Sequence, residues 1–521
     1  MKGGQPPYVS NRRFSQVSQS PTSQTFGFRL PTVRGTPRNA TKGQNMNKKT
    51  KKIISISLVS AIGAVFLSFF VTVCVRAVTL RKAPALNELE PAQKTFLNLA
   101  LDAAYPERTK ILHPLPYPAE KAELNIWAKS AIAVNVENGC VIYEKNADEI
   151  IPPASMTKLF VMYVIMEEIE KGNASLSDIV PLPPQTWAAN QPPHSSLMFL
   201  GKNQKVTLEE VITGLDVCSG NDAANAIALY LFGDVDSFVQ KINQLAEEFN
   251  LEKTHFFDAS GYSEKNTTTA REMASFARKY IERFPETLYK FHSIPGFKYP
   301  KEENLAPEDK KLSTRYQDFS QGIPQNIFMP IYQKNTNPLL GILKGCDGLK
   351  TGFIEESGYN LALTVKRENM RILSVTMGGP GKNQNEGQTG RVHDGTEIIE
   401  WAYKTFKNYE NPLVLRAYNI PVICANVQRM NIVPAWSPKA LCVPISAAEN
   451  PENAPEEVKI NLVLPDFIKG QIEAGNEYGK IEYFLNGHLL DSIPLVADRP
   501  TERANWWICA ADEIAKIALK I

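Results

Sequence analysis

IPPASMTKLF, residues Ile151–Phe160, places two prolines before a small-residue turn and then opens an apolar segment. Pro152 and Pro153 favour an extended entry. Beyond them Leu159, Met162, Ile165 and Ile169 recur at helical spacing and predict a helix over about Ser155–Lys171. Its first turn carries Ser155 and Lys158. Three positions apart, a hydroxyl and an amine share one helical face, and a desolvated lysine is a base able to take a serine's proton. Read alone, the same residues are an N-capping serine and a solvated lysine. The surrounding chain has to decide.

Upstream, Ile132, Val134 and Val136 alternate with smaller or polar residues, Asn138-Gly139 makes a turn, and Val141–Tyr143 returns, the pattern of a hairpin. Downstream, Thr207 with Glu210 forms a capping box that opens a second helix, and Asp394 with Glu397 repeats the signature before Ile398, Trp401 and Ala402. Tyr359–Val365 and Arg371–Met377 read as paired strands. Strands at both ends with helices between predict an α+β domain on an antiparallel sheet. After Pro412 come short β-like runs, Pro421–Val427, Val458–Leu464, Tyr478–Leu485 and Leu489–Val496, which read as a separate small β domain. The tail Trp506–Ile521 puts Trp507, Ala510, Ala511, Ile514, Ile517, Ala518 and Ile521 on one helical face. That face suits a membrane surface and packing against protein equally, because Asp512 and Glu513 offset Lys516 and Lys520.

Two further motifs give the serine–lysine pair its meaning. Ser219-Gly220-Asn221 lies 64 residues after Ser155, at the end of the helix opened by Thr207, and Lys350-Thr351-Gly352 lies 131 residues beyond Ser219, ahead of the paired strands. Each alone is an ordinary turn. In the order S-x-x-K, S-x-N, K-T-G they resemble the penicillin-binding proteins and class A β-lactamases. Four longer stretches, Ile151–Phe160, Leu197–Asn225, His255–Ala270 and Cys346–Leu361, resemble the low-molecular-mass, serine-type D-alanyl-D-alanine carboxypeptidases, over about 125–410. The β domain, Gly475–Ala497 above all, resembles that family's C-terminal domain. Glu302–Asn326 reads as an insertion.

The resemblance implies a penicillin-binding/β-lactamase-like catalytic domain and an enzyme that removes the terminal D-alanine of peptidoglycan stem peptides and is blocked by β-lactams. It implies Ser155 as nucleophile and Lys158 as its base. Backbone N–H groups of Ser155 and Phe353 would bind the oxyanion, Asn221 the substrate amide, and Ser219 would relay a proton to the leaving group. Lys350 and Thr351 would hold the terminal carboxylate, and Gly352 would let the substrate backbone approach the strand. No metal or cofactor is implied. A β-lactamase shares the three motifs, but no E-x-x-L-N segment stands between Asn221 and Lys350. A non-catalytic wall-binding scaffold is the other reading, and the complete motif set weighs against it.

Charge and hydropathy set the topology. Residues 1–82 hold fourteen of the 57 Lys and Arg and none of the 55 Asp and Glu, so the rest of the chain carries a net −12. That excludes nucleic acid as a partner for the folded part. Ile53–Val75 runs 23 residues without a charge, long enough to span a bilayer. The basic residues before it place the N-terminus in the cytoplasm and the remainder outside. The length favours a retained anchor over a signal peptide cleaved near Val75-Arg76-Ala77, with Met1 or Met46 as the start. The expected organisation is a disordered basic tail (1–52), a membrane anchor (53–75), a stalk (76–123) with a short helix at Leu97, Leu101 and Ala104, a catalytic domain (124–410), a β domain (412–499) and an amphipathic helix (500–521). Seven cysteines show no CxxC and six histidines no ligand motif, so a metal site is not expected. Cys424 with Cys442 is the expected disulfide pair, because both fall in the β domain.

Overall fold

A computed structural model describes residues 48–81, 112–119, 122–313, 316–318, 325–327, 330–409, 417–436, 440–445 and 458–519. The basic tail before Lys48 and the stalk helix at Leu97–Ala104 lie outside the described residues.

The catalytic region is organised by one sheet buried on both faces. Its strands are β1 (Ser130–Asn135), β2 (Cys140–Lys145), β3 (Cys346–Ile354), β4 (Gly358–Arg367) and β5 (Met370–Gly379), in the order β2-β1-β5-β4-β3, all antiparallel. A two-residue strand, His113–Pro114, adds to the β2 edge in parallel. Ile132, Val134, Leu373 and Val375 point into a core shared with helices, whereas Ala131, Ala133, Leu363 and Ile372 point into a second core. This double burial explains why β1 lacks a solvent face despite its alternating sequence.

Against the first face pack α2 (Lys158–Glu170), α3 (Leu208–Val217), α4 (Asn221–Phe232), α5 (Val235–Glu248) and α6 (Ala270–Arg283). The expected helix at Ser155 begins as a single 3₁₀ turn, Ala154–Thr157, before becoming α-helical at Lys158, and Lys158–Met166 is buried on every side. The Thr207/Glu210 capping box is present, with both reciprocal bonds formed.

The second face is covered by α7 (Gln384–Thr405), whose Ile398, Ile399 and Ala402 pack on Leu361 and Leu363. Here the sequence expectation fails. Asp394 and Glu397 do not start a helix: Asn383 caps α7, bonding to the Glu386 N–H, and the helix runs straight through Asp394. Asp394 is buried instead and accepts the N–H groups of Trp127 and Ala128, each at 2.8 Å. A carboxylate joining two distant segments has the same local sequence as a cap.

Within the expected insertion, the described parts form a 3₁₀ turn at Glu302–Asn304, a helix at Pro307–Ser313 and paired strands at Tyr316–Asp318 and Gln325–Ile327. After α7, β6 (Phe406–Tyr409) pairs with β9 (Leu441–Pro444). The β domain itself is a sheet of β7 (Tyr418–Ile423), β8 (Arg429–Pro434), β10 (Lys459–Val463), β11 (Ile468–Lys469), β12 (Glu477–Leu485) and β13 (His488–Ala497), in the order β10-β12-β13-β8-β7-β11. Tyr483, Ile481, Ile493, Leu495 and Ile432 form its core. Three of the expected runs are present; the fourth, Pro421–Val427, is cut short, since β7 ends at Ile423 and the chain turns from Cys424 into β8.

Helix α1 (Lys48–Arg81) contains an apolar stretch, Ser55–Leu80, long enough by length and composition to cross a membrane. The C-terminal helix α8 (Trp506–Leu519) buries Ala511, Asp512 and Ala515, while Trp506 and Ile517 stand exposed. Its buried face is therefore rotated from the apolar stripe read in the sequence, and the cause is a charge pair. Arg76 grips both Asp512 oxygens, with Nη2 2.6 Å from Oδ2, and Leu80 packs with Ile423 and Ala515 beside it. Asp512 also accepts the Cys424 N–H at 2.7 Å. The expected Cys424–Cys442 bridge is not formed: Cys424 lies beside α8, and Cys442 belongs to the core under β1.

Asp394→Ala strands two N–H donors, that of Ala128 fully buried and that of Trp127 partly so. Hydrogen bonds to a charged group contribute about 1.5–3 kcal/mol, so this substitution should destabilise the catalytic domain by at least that amount in denaturant unfolding. Glu397→Ala, on the same helix, should cost well under 1 kcal/mol.

Candidate active site

The three motifs meet where α2 begins, α4 begins and β3 forms the sheet edge. Ser155 sits in the 3₁₀ turn, and Lys158 follows one turn later with its side chain fully buried. Lys158 Nζ has three partners: Ser155 Oγ at 2.9 Å, Asn221 Oδ1 at 2.8 Å and the Ser260 carbonyl at 2.5 Å. Two of these are carbonyl oxygens, which only accept. They occupy both N–H groups of a neutral amine and leave its lone pair for the Ser155 hydroxyl. Burial pushes the Lys158 pKa well below the ordinary lysine value, and the charge of Lys350 adds to the shift, against the pull of Asp258 and Asp222.

Ser219-Gly220-Asn221 is the break between α3 and α4 rather than a helix end alone. Ser219 adopts a left-handed backbone (φ 61°), is 3% exposed, and its Oγ has no hydrogen-bond partner among the described residues. Asn221 opens α4, with its N–H bonded to the Ser196 carbonyl at 2.7 Å. The next residue, Asp222, gathers the N–H groups of Met198, Phe199 and Leu200 at 2.9–3.0 Å and so fixes the loop over the site.

Lys350, Thr351, Gly352 and Phe353 lie within β3, a further strand at the sheet edge that precedes the two expected ones. Lys350 is 1% exposed, and burial, with a contribution from Arg391 and opposed by Asp216, lowers its pKa to about 8. The Thr351 hydroxyl donates to Thr336 Oγ1 at 2.8 Å. A cleft of about 730 Å³ is walled by Ser155, Asn221, Phe353, Ser196, Gly261 and Tyr262, among others. Ser155, Asn221 and Phe353 thus face the cleft, whereas Ser219, Lys350 and Thr351 stand buried behind it.

Gly352 packs directly against the serine turn. A Cβ there would meet the Pro153 carbonyl at 2.5 Å and Ala154 Cβ at 3.2 Å, so its missing side chain makes room for the turn carrying Ser155. Gly261 does the same from the opposite side: with φ +82°, a Cβ would come within 1.9 Å of the Ala154 carbonyl. Asn360 on β4 completes the clamp, donating to the Pro152 carbonyl at 3.0 Å and accepting the Gly378 N–H at 2.9 Å. Arg391 on α7 donates to the Gly352 carbonyl at 2.6 Å. Asn360 and Asp258, whose carboxylate holds the Ser260 loop through Ser260, Gly261 and Ser263 N–H groups at 2.7 Å, lie inside stretches that carried the family resemblance. Asp222 also lies inside such a stretch, Leu197–Asn225, whereas Arg391 had no such signal. Among the described residues, no cluster of His, Cys, Asp or Glu is fit to hold a metal ion.

A family model described as D-alanyl-D-alanine carboxypeptidase matches residues 118–381, half of the chain. The chain belongs to this family. It is a serine-type hydrolase. A second model, the C-terminal domain of penicillin-binding protein 5, matches residues 431–503. Among curated relatives, D-alanyl-D-alanine carboxypeptidase DacF of Bacillus subtilis is 27% identical over 74% of this chain and 88% of its own. DacA of Escherichia coli is 27% identical over 73% and 85%. Among solved structures, penicillin-binding protein 5 from Haemophilus influenzae superposes with a TM-score of 0.59 at 24% identity, covering 73% of this chain and 99% of that one, a likeness of fold.

Gly352→Ala tests the clamp. A Cβ at this position has to displace the Ser155 turn, and a shift of about 1 Å in a reacting group costs on the order of 10²-fold in rate. Release of D-alanine from a D-Ala-D-Ala peptide should fall by about that factor in the variant. Gly470→Ala, in the β domain with open space around its Cβ position, should leave that release unchanged.

Proposed function

We propose that this enzyme removes the terminal D-alanine of peptidoglycan stem peptides through an acyl-enzyme on Ser155, and that β-lactams trap it at that serine. The observation that carries the reading is the set of partners around Lys158, which leaves the amine lone pair directed at the Ser155 hydroxyl.

On this reading Lys158 takes the Ser155 proton as Oγ attacks the carbonyl of the penultimate D-alanine. The oxyanion forms next to the N–H groups of Ser155 and Phe353, the first at the start of a helical segment whose dipole favours negative charge. Asn221, which already touches Lys158, holds the substrate amide. Ser219, whose hydroxyl is otherwise unpaired, passes a proton to the leaving D-alanine. Water then cleaves the ester, with Lys158 again as base. Lys350 serves twice. Its positive charge behind the cleft wall favours a substrate ending in a free carboxylate, and the same charge keeps Lys158 neutral.

The topology follows from the charge asymmetry about the apolar helix. Residues 53–75 anchor the chain, the tail before them stays in the cytoplasm, and the catalytic domain (124–410), the β domain (412–499) and the final helix (500–521) act outside, on the peptidoglycan side.

Ser155→Ala decides the nucleophile. In wild type, labelled penicillin should attach to the peptide bearing Ser155, and a peptide ending in D-Ala-D-Ala should release D-alanine. In Ser155→Ala both should vanish while the unfolding transition is retained. Labelling that persists in the variant would place the nucleophile elsewhere. Wild type that binds penicillin but releases no D-alanine would remove the carboxypeptidase reading.

A further inference from the structure

The corner where α8 meets the β domain holds two cysteines that the reaction does not use. Cys424 follows the end of β7 in a left-handed conformation (φ 57°) and is 4% exposed. Cys509 lies in the first turn of α8 and is only half-buried. Contacts between their segments bring them side by side. The Ala504 N–H donates to the Cys424 carbonyl at 2.9 Å, and Ala425 bridges Arg503. Cys509 Sγ lies 3.5 Å from the Ala504 carbonyl, and Cys424 Sγ lies 3.9 Å from the carbonyl of Cys509 itself. The Cys424 thiol is pushed up to about 11, first by burial and then by the Cys509 thiol beside it. Nearby, the Cys424 N–H bonds Asp512, so the same residue joins the ion pair that seats α8.

We propose that Cys424 and Cys509 form a disulfide that locks α8 onto the β domain. The proposal rests on the reading that this domain is exported, because structural disulfides persist in oxidising compartments. The oxidant is a second disulfide, borne by a small molecule or a thiol–disulfide exchange protein. Cys509, the more accessible of the two, attacks it as thiolate and forms a mixed disulfide, releasing one thiol. Cys424 loses its proton and attacks Cys509 Sγ, which expels the second thiol. Two cysteine thiols are oxidised, one disulfide is reduced, and both protons end on the departing thiols. Burial of Cys424 makes its step the slower one, accelerated as pH rises. Closing the bond encloses the β domain between the two residues and removes the freedom of α8 to leave its seat.

The test uses the full chain in detergent, equilibrated with oxidised or reduced glutathione, acid-quenched, alkylated without reduction and digested. Glutathione supplies the oxidant, so the result does not depend on which side of the membrane the domain occupies. Oxidised protein should yield a cross-linked pair of Cys424 and Cys509 peptides, two hydrogens lighter than the separate thiols and restored by dithiothreitol. Amide exchange across Trp506–Leu519 should slow by at least about tenfold on oxidation. Cys509→Ser should abolish the cross-link and leave Cys424 free, and Cys442→Ser should change nothing. Full alkylation of both cysteines after oxidation, glutathione retained on Cys509 alone, or unchanged exchange in α8 would each overturn the proposal.

Discussion

Two lysine side chains, Lys158 and Lys350, are buried in one site, and the cost of keeping both charged there shapes everything around them. A buried ammonium loses its hydration, and a second cation nearby raises the penalty. Both effects favour neutral Lys158. Lys350 is relieved in part by Asp216, whose carboxylate lies 2.8 Å from His292 Nδ1 in the same interior. On the proposed reading one lysine is left as the base and the other as the cation. The asymmetry arises from burial, from the spacing of the two lysines and from the Asp216 carboxylate.

Such an arrangement works only if the serine is held to within a fraction of an ångström. The turn at Ala154–Ser155 is wedged between Gly352 and Gly261, two glycines at which a Cβ would collide with its backbone. Asn360 ties the preceding prolines to the sheet, and Arg391 ties the edge strand to α7. The 3₁₀ start of the helix follows from this crowding: Ala154 is forced to φ 49° so that Ser155 can turn toward the cleft. Asp222 and Asp258 perform the same service for the two loops that flank it, each by collecting backbone N–H groups.

What the sequence showed was local. The apolar period after Ser155, the Thr207 capping box and the hairpin about Asn138-Gly139 depend on neighbours a few residues away, and the structure has them where they were expected. The three motifs were legible because their order and spacing are unusual together. Asp394 was misread because a buried carboxylate and a capping one look alike until the partner segment, 266 residues away, is in place. The packing of Gly352 against the serine turn was hidden because the atoms beside its missing side chain belong to Pro153 and Ala154. The seating of α8 was hidden for the same reason: its hydrophobic stripe predicts one face, and a single ion pair to Arg76 selects another.

The central claim is that Lys158 is neutral at working pH because it is buried beside a cation. The pH dependence of acylation of Ser155 by a penicillin reports it most directly. A base acts only when deprotonated, so the rate rises with pH through the Lys158 pKa, and it falls again as Lys350 loses the charge that favours the inhibitor's carboxylate. The account predicts a rate that reaches its maximum well below the ordinary lysine pKa and declines above about 8. A rate that climbs steadily until about pH 10.4, where an unperturbed lysine titrates, would contradict it.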